Sequence, residues 1–222
     1  MADRANRLTQ PPPPERYRRR LRTAYETLYG RAADIWSDEA AMARVGHQFA
    51  AWIGEPPKRI LDVGAGRGRD ARLYASLGHD VTAVDLMPLR DDVTEQATRG
   101  NLRFVQCDIR DLTCNNGFDV ICDNGCYHHE HPAEAADYLA HLARLLRGRS
   151  GRLCIAVFAA KQQKGDLAPM PDGRFRRAYT ADELTAELAA AGFRTDAHRK
   201  FVRHRPDLAY LAMTAIPDPR GS

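Results

Sequence analysis

Asp62-Val63-Gly64-Ala65-Gly66-Arg67-Gly68 follows a short apolar run at 60–63 and leads directly into an amphipathic stretch at 68–77. Glycines at alternating positions allow a sharp strand-to-helix turn and bring backbone close to a ligand that side chains would hold off. The next apolar run, 81–84, ends on Asp85, 21 positions after Gly64. A carboxylate there can accept both hydroxyls of a ribose. The spacing is GxGxG, not the GxGxxG that seats a pyrophosphate at a helix N-terminus. The acid Asp62 precedes the turn, where it suits an amino-acid ammonium and repels phosphate. The turn therefore reads as a nucleoside site with a cationic neighbour.

The pattern around this turn repeats. Apolar runs at 60–63, 81–84, 102–107, 118–122 and 153–158 are short and rich in Val, Ile, Leu and Phe, as strands buried on both faces are. Between them lie helical signals at 68–77, 88–99 and 132–147. The first two end at Gly78 and Gly100, and the third carries an apolar stripe through Tyr138, Leu139, Leu142 and Leu145. Thr180 and Glu183 form a capping box that opens a helix reaching 191. Alternating strands and helices imply an α/β fold, a parallel doubly wound sheet with helices on both faces. Two extended runs, 193–202 and 209–216, follow with a turn at 204–207 and predict a terminal hairpin at one sheet edge.

Ahead of this unit, helices are expected over 15–30 and 38–53, carrying Tyr17, Tyr25, Tyr29, Trp36, Phe49 and Trp52. The sequence divides into a disordered basic, proline-rich tail (1–15), a helical lid (16–57) and a ligand-binding domain (58–218). At 222 residues, 44% hydrophobic and 28% charged, the chain is long enough for one α/β core. No apolar run approaches a bilayer span, and the basic N-terminus has no apolar segment behind it, so a cytoplasmic location is expected. The five cysteines form no CxxC pair and read as reduced thiols. The net charge of +4 comes largely from arginine in the first 22 residues. The excess of Arg over Lys is associated with high-GC bacterial coding.

Taken together, 61–68, Val84-Asp85, Cys107-Asp108-Ile109 and Phe118-Asp119-Val120-Ile121-Cys122-Asp123 resemble the class I S-adenosylmethionine (SAM)-dependent methyltransferases, over about 25–216. The resemblance implies a Rossmann-like seven-stranded, mostly parallel sheet with an antiparallel C-terminal strand. It implies SAM as cofactor, with Gly64 and Gly66 at its methionine part, beside Asp62, and Asp85 on the ribose. Asp108 and the Ile109 backbone would meet the adenine, and Asp123 would lie near the sulfonium. The stretch Asp123-Asn124-Gly125-Cys126-Tyr127-His128-His129, with Gly68-Arg69-Asp70 and Tyr179-Thr180, is similar to small-molecule methyltransferases of the thiopurine and tellurite-resistance types.

Methyl transfer is an in-line displacement in which the protein aligns, desolvates and, where needed, deprotonates the nucleophile. Loops after the strands carry such groups. His128 or His129 is the candidate base, the alternative being that one of them packs against or caps the next helix. Asn124 and Tyr127 are candidates to orient the acceptor. No metal site is expected, since the cluster around His131 lacks an i,i+4 histidine pair or CxxC. Tyr25 and Trp36, with Tyr29, are expected to close over SAM, and Phe49 and Trp52 to pack in the core. The cationic loop 159–179 offers Lys161, Lys164, Arg174, Arg176 and Arg177, against Asp166 and Asp172, to grip a carboxylate or phosphate.

The leading expectation is methyl transfer to an O, N or S atom of a small molecule in secondary metabolism or detoxification. A SAM-consuming cyclisation that releases methylthioadenosine is the alternative. An RNA methyltransferase fits less well, because Asp123-Asn124-Gly125-Cys126 replaces the (Asn/Asp)-Pro-Pro-aromatic motif and no nucleic-acid-binding domain is evident.

Overall fold

The computed structural model describes residues 11–88, 100–161, 167–204 and 208–219. Helix α1 (Pro14–Gly30) starts on a proline, which fits the first helical turn where no amide partner is required. Then come α2 (Ala40–Ile53), β1 (Arg59–Val63), α3 (Arg69–Ser76), β2 (Asp80–Asp85), β3 (Leu102–Gln106), β4 (Val120–Asn124), α4 (Ala135–Leu145) and β5 (Arg152–Ala159). Three two-residue strands follow: β6 (Ala168–Pro169), β7 (Phe175–Arg176) and β8 (Ala178–Tyr179). The remaining elements are α5 (Ala181–Ala190), β9 (Phe193–Val202) and β10 (Ala209–Pro217). Residues 89–99 of the expected helix, Lys164 and Asp166 of the expected cationic loop, and most of the turn at 204–207 lie outside the described residues.

The main sheet runs β3-β2-β1-β4-β5-β10-β9. Strands β1 to β5 pair in parallel, and β10 is antiparallel to both neighbours. This is the seven-stranded arrangement expected from the sequence, with β8 added beside the end of β5, beyond the reach of β4. Period two governs the core. Leu61, Ile121, Leu153, Ile155 and Val157 face one layer with Leu139 and Leu142 of α4 and Leu184 and Leu188 of α5. Ile60, Val81, Cys122, Cys154 and Ala156 face the other with Val45 and Phe49 of α2 and Ala71 and Tyr74 of α3. Covering both faces is why these strands read as unbroken apolar runs. The Thr180–Glu183 capping box forms as predicted.

Helix α2 packs into this second layer, with Phe49 stacked on Trp52 at 6.0 Å. Helix α1 instead joins Tyr17 and Leu21 to Phe175 of β7. Chain direction across the sheet reverses between β1 and β4, so their carboxyl ends diverge into a crevice. Among the described residues, no helix is long and apolar enough to cross a membrane.

Candidate active site

A cavity of about 650 Å³ opens at that reversal, within the range of small-molecule sites. The loops after β1 to β5 make its floor, and α1, the 34–37 turn and the β6–β7 hairpin close it from above.

One end is acidic. Asp85 accepts from the Gly66 amide and the Met87 amide, both at 2.8 Å, so the carboxylate that ends β2 is tied to the glycine turn. Burial raises its pKa. Gly64 and Gly66 both have positive φ. A Cβ on Gly64 would lie 2.0 Å from the Cys126 sulfur, and one on Gly66 would lie 2.9 Å from the Tyr29 hydroxyl. Asp62 is 2% exposed, and its Oδ2 has no hydrogen-bond partner. Burial drives its pKa well above the carboxylate range, with the Asp70 carboxylate adding to the effect. Asn124 donates to Asp70 (2.6 Å) and to the Met42 carbonyl (3.1 Å), which fixes its amide and leaves its buried Oδ1 without a partner. Two orphaned buried acceptors at one end of a cavity call for a ligand with several N–H donors. At the far side Asp108 caps a 3₁₀ turn (Ile109–Asp111) through the Arg110 amide and pairs with the Arg110 guanidinium. Arg110 also pairs with Glu130, whose pKa burial pushes up to about 7.

The other end is aromatic and basic. A 3₁₀ turn (Tyr127–His129) sends successive side chains in different directions. His128 lies against Phe158 with centroids 4.0 Å apart, and His129 is 4.3 Å from His128. The Phe175 carbonyl lies 2.7 Å from His129 Nδ1, so that nitrogen donates and Nε2 keeps the lone pair. Burial lowers both histidines, His129 to about 3, and the nearby arginines, Arg174 foremost for His129, lower them further. Both are therefore neutral at physiological pH. Arg174 lies 5.0 Å from the Tyr25 ring centroid and 4.8 Å from that of Trp36, and is held by Asp172. The cation on those two rings is thus an arginine of the chain itself.

The structure places Asp62, Gly64, Gly66, Asp85, Asp108, Ile109, Tyr25, Trp36, Asn124, His128 and His129 around one cavity. It departs from the sequence reading at two positions. Asp123, expected near the sulfonium, does not line the cavity: it is fully buried and accepts from the Gly125, Cys126 and Tyr127 amides and the Tyr138 hydroxyl. It shapes the turn from beneath. Tyr127, expected to orient the acceptor, points into the helix layer, stacks on Tyr179 at 5.6 Å and donates to Glu187. Asp70, Cys126, Glu130 and Phe158 line the cavity without having been singled out for it.

A sequence profile described as "Methyltransferase domain" matches residues 35–198. The chain belongs to that family. It is a SAM-dependent methyltransferase, with SAM as its cofactor. Its structure is similar to the 1,6-didemethyltoxoflavin-N1-methyltransferase of Burkholderia thailandensis, solved with 1,6-didemethyltoxoflavin and S-adenosylhomocysteine bound. The two share 37% identity over 93% of this chain and 91% of the other, with a TM-score of 0.87. The magnesium protoporphyrin IX methyltransferase of Synechocystis PCC 6803 shares the fold at 21% identity, 79% and 82% coverage and a TM-score of 0.59. An uncharacterized methyltransferase of Schizosaccharomyces pombe is 29% identical over 102 residues, 44% of this chain and 70% of that protein.

In this methyltransferase the roof of the cavity hangs on Tyr17. Its buried hydroxyl donates to the His129 carbonyl at 2.7 Å and accepts from the Phe175 amide at 3.3 Å. Tyr17→Phe is expected to lower stability by about 1–3 kcal/mol, because two buried backbone groups lose their partner. It should also raise KM more than it lowers kcat. An unchanged melting temperature would show that α1 is held by other contacts.

Proposed function

We propose that this enzyme transfers the SAM methyl group to a nitrogen of a small, planar heterocycle. The observation that carries the reading is the aromatic wall at the acceptor end, where His128 lies against Phe158, tilted by 40°, beside His129 and next to the acidic donor end. Likeness to an enzyme whose substrate is 1,6-didemethyltoxoflavin supports the acceptor class. Walls of this kind favour a flat, π-faced ligand.

SAM brings an electrophilic methyl on a sulfonium, with a neutral thioether as leaving group. The residues at the donor end fit it. Asp62 Oδ2 and Asn124 Oδ1 are the acceptors an amino-acid ammonium needs. Gly64 and Gly66 let the backbone approach, and Asp85 keeps lone pairs for ribose hydroxyls after accepting two amides. Asp108 and Ile109 border the space left for a base.

Histidine assistance in this site is positional. Neutral His128 packs against the acceptor plane, and His129, held by Phe175 and Tyr17, offers Nε2 to a donor beside the reacting atom. Helix α1 acts as the lid that excludes water, which strengthens each of these contacts.

The test is product identity. Incubation with SAM, 1,6-didemethyltoxoflavin and heterocycles bearing N–H, O–H or S–H groups should give S-adenosylhomocysteine and an N-methylated product by mass spectrometry and NMR. Methyl on oxygen or sulfur, or release of methylthioadenosine, would overturn the proposal.

A further inference from the structure

Most arginines around the cavity are already neutralised. Arg174 is paired with Asp172, Arg203 with Glu39, Arg110 with Asp108 and Glu130, and Arg18 with Glu134. Arg177, in the same cationic stretch, turns away to Glu187. Arg176 is different. Its guanidinium lies 5.3 Å from the centroid of Phe158 and lines the cavity. Among the described residues it has no hydrogen-bond or ion-pair partner. It sits on the ring that carries His128 and acts electrostatically on both histidines. A half-buried cation that no described residue pairs, over the wall against which the acceptor lies, favours an anionic ligand group there.

We propose that Arg176 is a specificity-determining residue that selects the acceptor in its deprotonated form. The acceptor is an N–H acid flanked by carbonyl oxygen. It leaves its proton in solvent, and its delocalised negative charge is balanced by Arg176. This inference rests on the assignment of donor and acceptor ends made above.

The chemistry then balances without a base. The nitrogen lone pair of the anion forms the N–CH₃ bond, the C–S pair leaves on sulfur, and two opposite charges are cancelled. No proton moves in that step, in keeping with histidines that burial holds neutral. Arg176 somewhat reduces the nucleophilicity of the anion, but it enlarges the ionised fraction, and below the pKa of the free acceptor the second effect governs the rate. The charged and titratable groups at this end are the Arg174–Asp172 pair of the β6–β7 hairpin, the Arg203–Glu39 pair with the Tyr210 hydroxyl, and His128 and His129. Helix α1 adds Glu15, Arg19 and Arg22 along the same cavity. Each pair is locally neutral and Arg19 and Arg22 are exposed, so Arg176 is the half-buried unpaired cation beside Phe158 that a single substitution removes.

The experiment uses chromophoric acids whose spectra distinguish neutral from ionised forms: lumazine as a bicyclic N–H acid, 4-nitrophenol and 4-nitrothiophenol. Each is titrated with pH in the presence of excess protein and S-adenosylhomocysteine. The wild type and Arg176→Lys should lower the pKa of bound lumazine by about one unit or more. Arg176→Gln should lose that shift and bind the ionised form at least about tenfold more weakly. This side chain makes no polar contact that the fold depends on, and Arg176→Lys retains the charge. An unshifted pKa in the wild type, or a shift retained in Arg176→Gln, overturns the role of Arg176 while leaving the heterocycle reading intact. Ionised binding of the phenol or thiol alone supports Arg176 and overturns the heterocycle reading. Binding of none of the three overturns both.

Discussion

Asp62→Asn is expected to raise the melting temperature of the ligand-free enzyme at pH 8 while weakening SAM and S-adenosylhomocysteine binding about 10- to 100-fold. The two effects have one cause. Asp62 is buried with an unpartnered oxygen near the carboxylates of Asp70, Asp85 and Asp123, so its ionised form is disfavoured in the folded protein. A carboxyl whose pKa is raised on folding holds its proton more tightly in the native state. Its contribution to stability is therefore complete below the unfolded value near 4 and is lost as pH rises through the folded one. The asparagine variant carries no such loss. Its advantage should be absent at pH 4 and grow towards pH 8, by about 1.4 kcal/mol for each unit by which the pKa was raised. The comparison must be made variant against wild type, because His129, lowered to about 3, gives whole-protein stability the opposite slope between about 3 and 6.5, and the lowered His128 acts in the same sense.

Binding responds in the opposite sense. An ammonium placed at Asp62 supplies the missing donor, and a charge-assisted hydrogen bond of this kind is worth about 1.5–3 kcal/mol. Thermal melts across pH with and without S-adenosylhomocysteine, together with calorimetric affinities, measure both. A variant that binds as tightly as the wild type would move the ammonium away from Asp62. One that gains no stability at pH 8 would mean that Asp62 is ionised without penalty.

The acidic end of the cavity was legible because its residues follow successive strands. Asp62, Gly64 and Gly66 follow β1, Asp85 ends β2, and Asp108 follows β3, so local spacing places them. Asp123 is still within β4, where strand alternation sends it to the side opposite Asn124 and its carboxylate turns back to the amides of 125–127. Tyr127 lies in the 3₁₀ turn that follows, and which residue of that turn faces the cavity depends on dihedrals that composition does not reveal. The stretch 159–179 read as an irregular cationic loop, yet it contains β6, β7 and β8. Strands of two residues have no periodicity to detect. Its arginines are separated by contacts distant in sequence: Arg174 to Tyr25 and Trp36, Arg177 to Glu187, and Arg176 to Phe158. Only the fold brings those partners together.

The cavity is polarised as a result. Buried oxygens of Asp62 and Asn124 without partners gather at one end, and the half-buried Arg176 guanidinium, unpaired among the described residues, stands at the other. The buried oxygens would be penalties in an empty scaffold, and the proposed ligand supplies a group of opposite charge or a donor at each end.

Gly64→Ala is expected to abolish measurable SAM binding and to lower the stability of the ligand-free enzyme by about 2 kcal/mol or more. Two terms add. At φ +64° an L-residue costs about 1–2 kcal/mol. The new methyl would also lie 2.0 Å from the Cys126 sulfur, with overpacking typically worth another 1–3 kcal/mol. Cys126 cannot simply retreat, since its amide is held by Asp123 at 2.7 Å and its thiol points at the Val63 carbonyl. Gly192→Ala isolates the first term: it has φ +84° and nothing within 4 Å of where the new methyl would sit, so it should lose only the conformational part and keep full SAM affinity. The double variant Gly64→Ala/Cys126→Ala isolates the second. It should recover the overpacking portion of stability and still fail to bind, because a methyl at residue 64 stands where backbone must approach the ligand. If the double variant regains affinity as well as stability, the glycine is there to accommodate Cys126 and not the cofactor. Melting curves and titrations with S-adenosylhomocysteine on the four proteins distinguish the two outcomes.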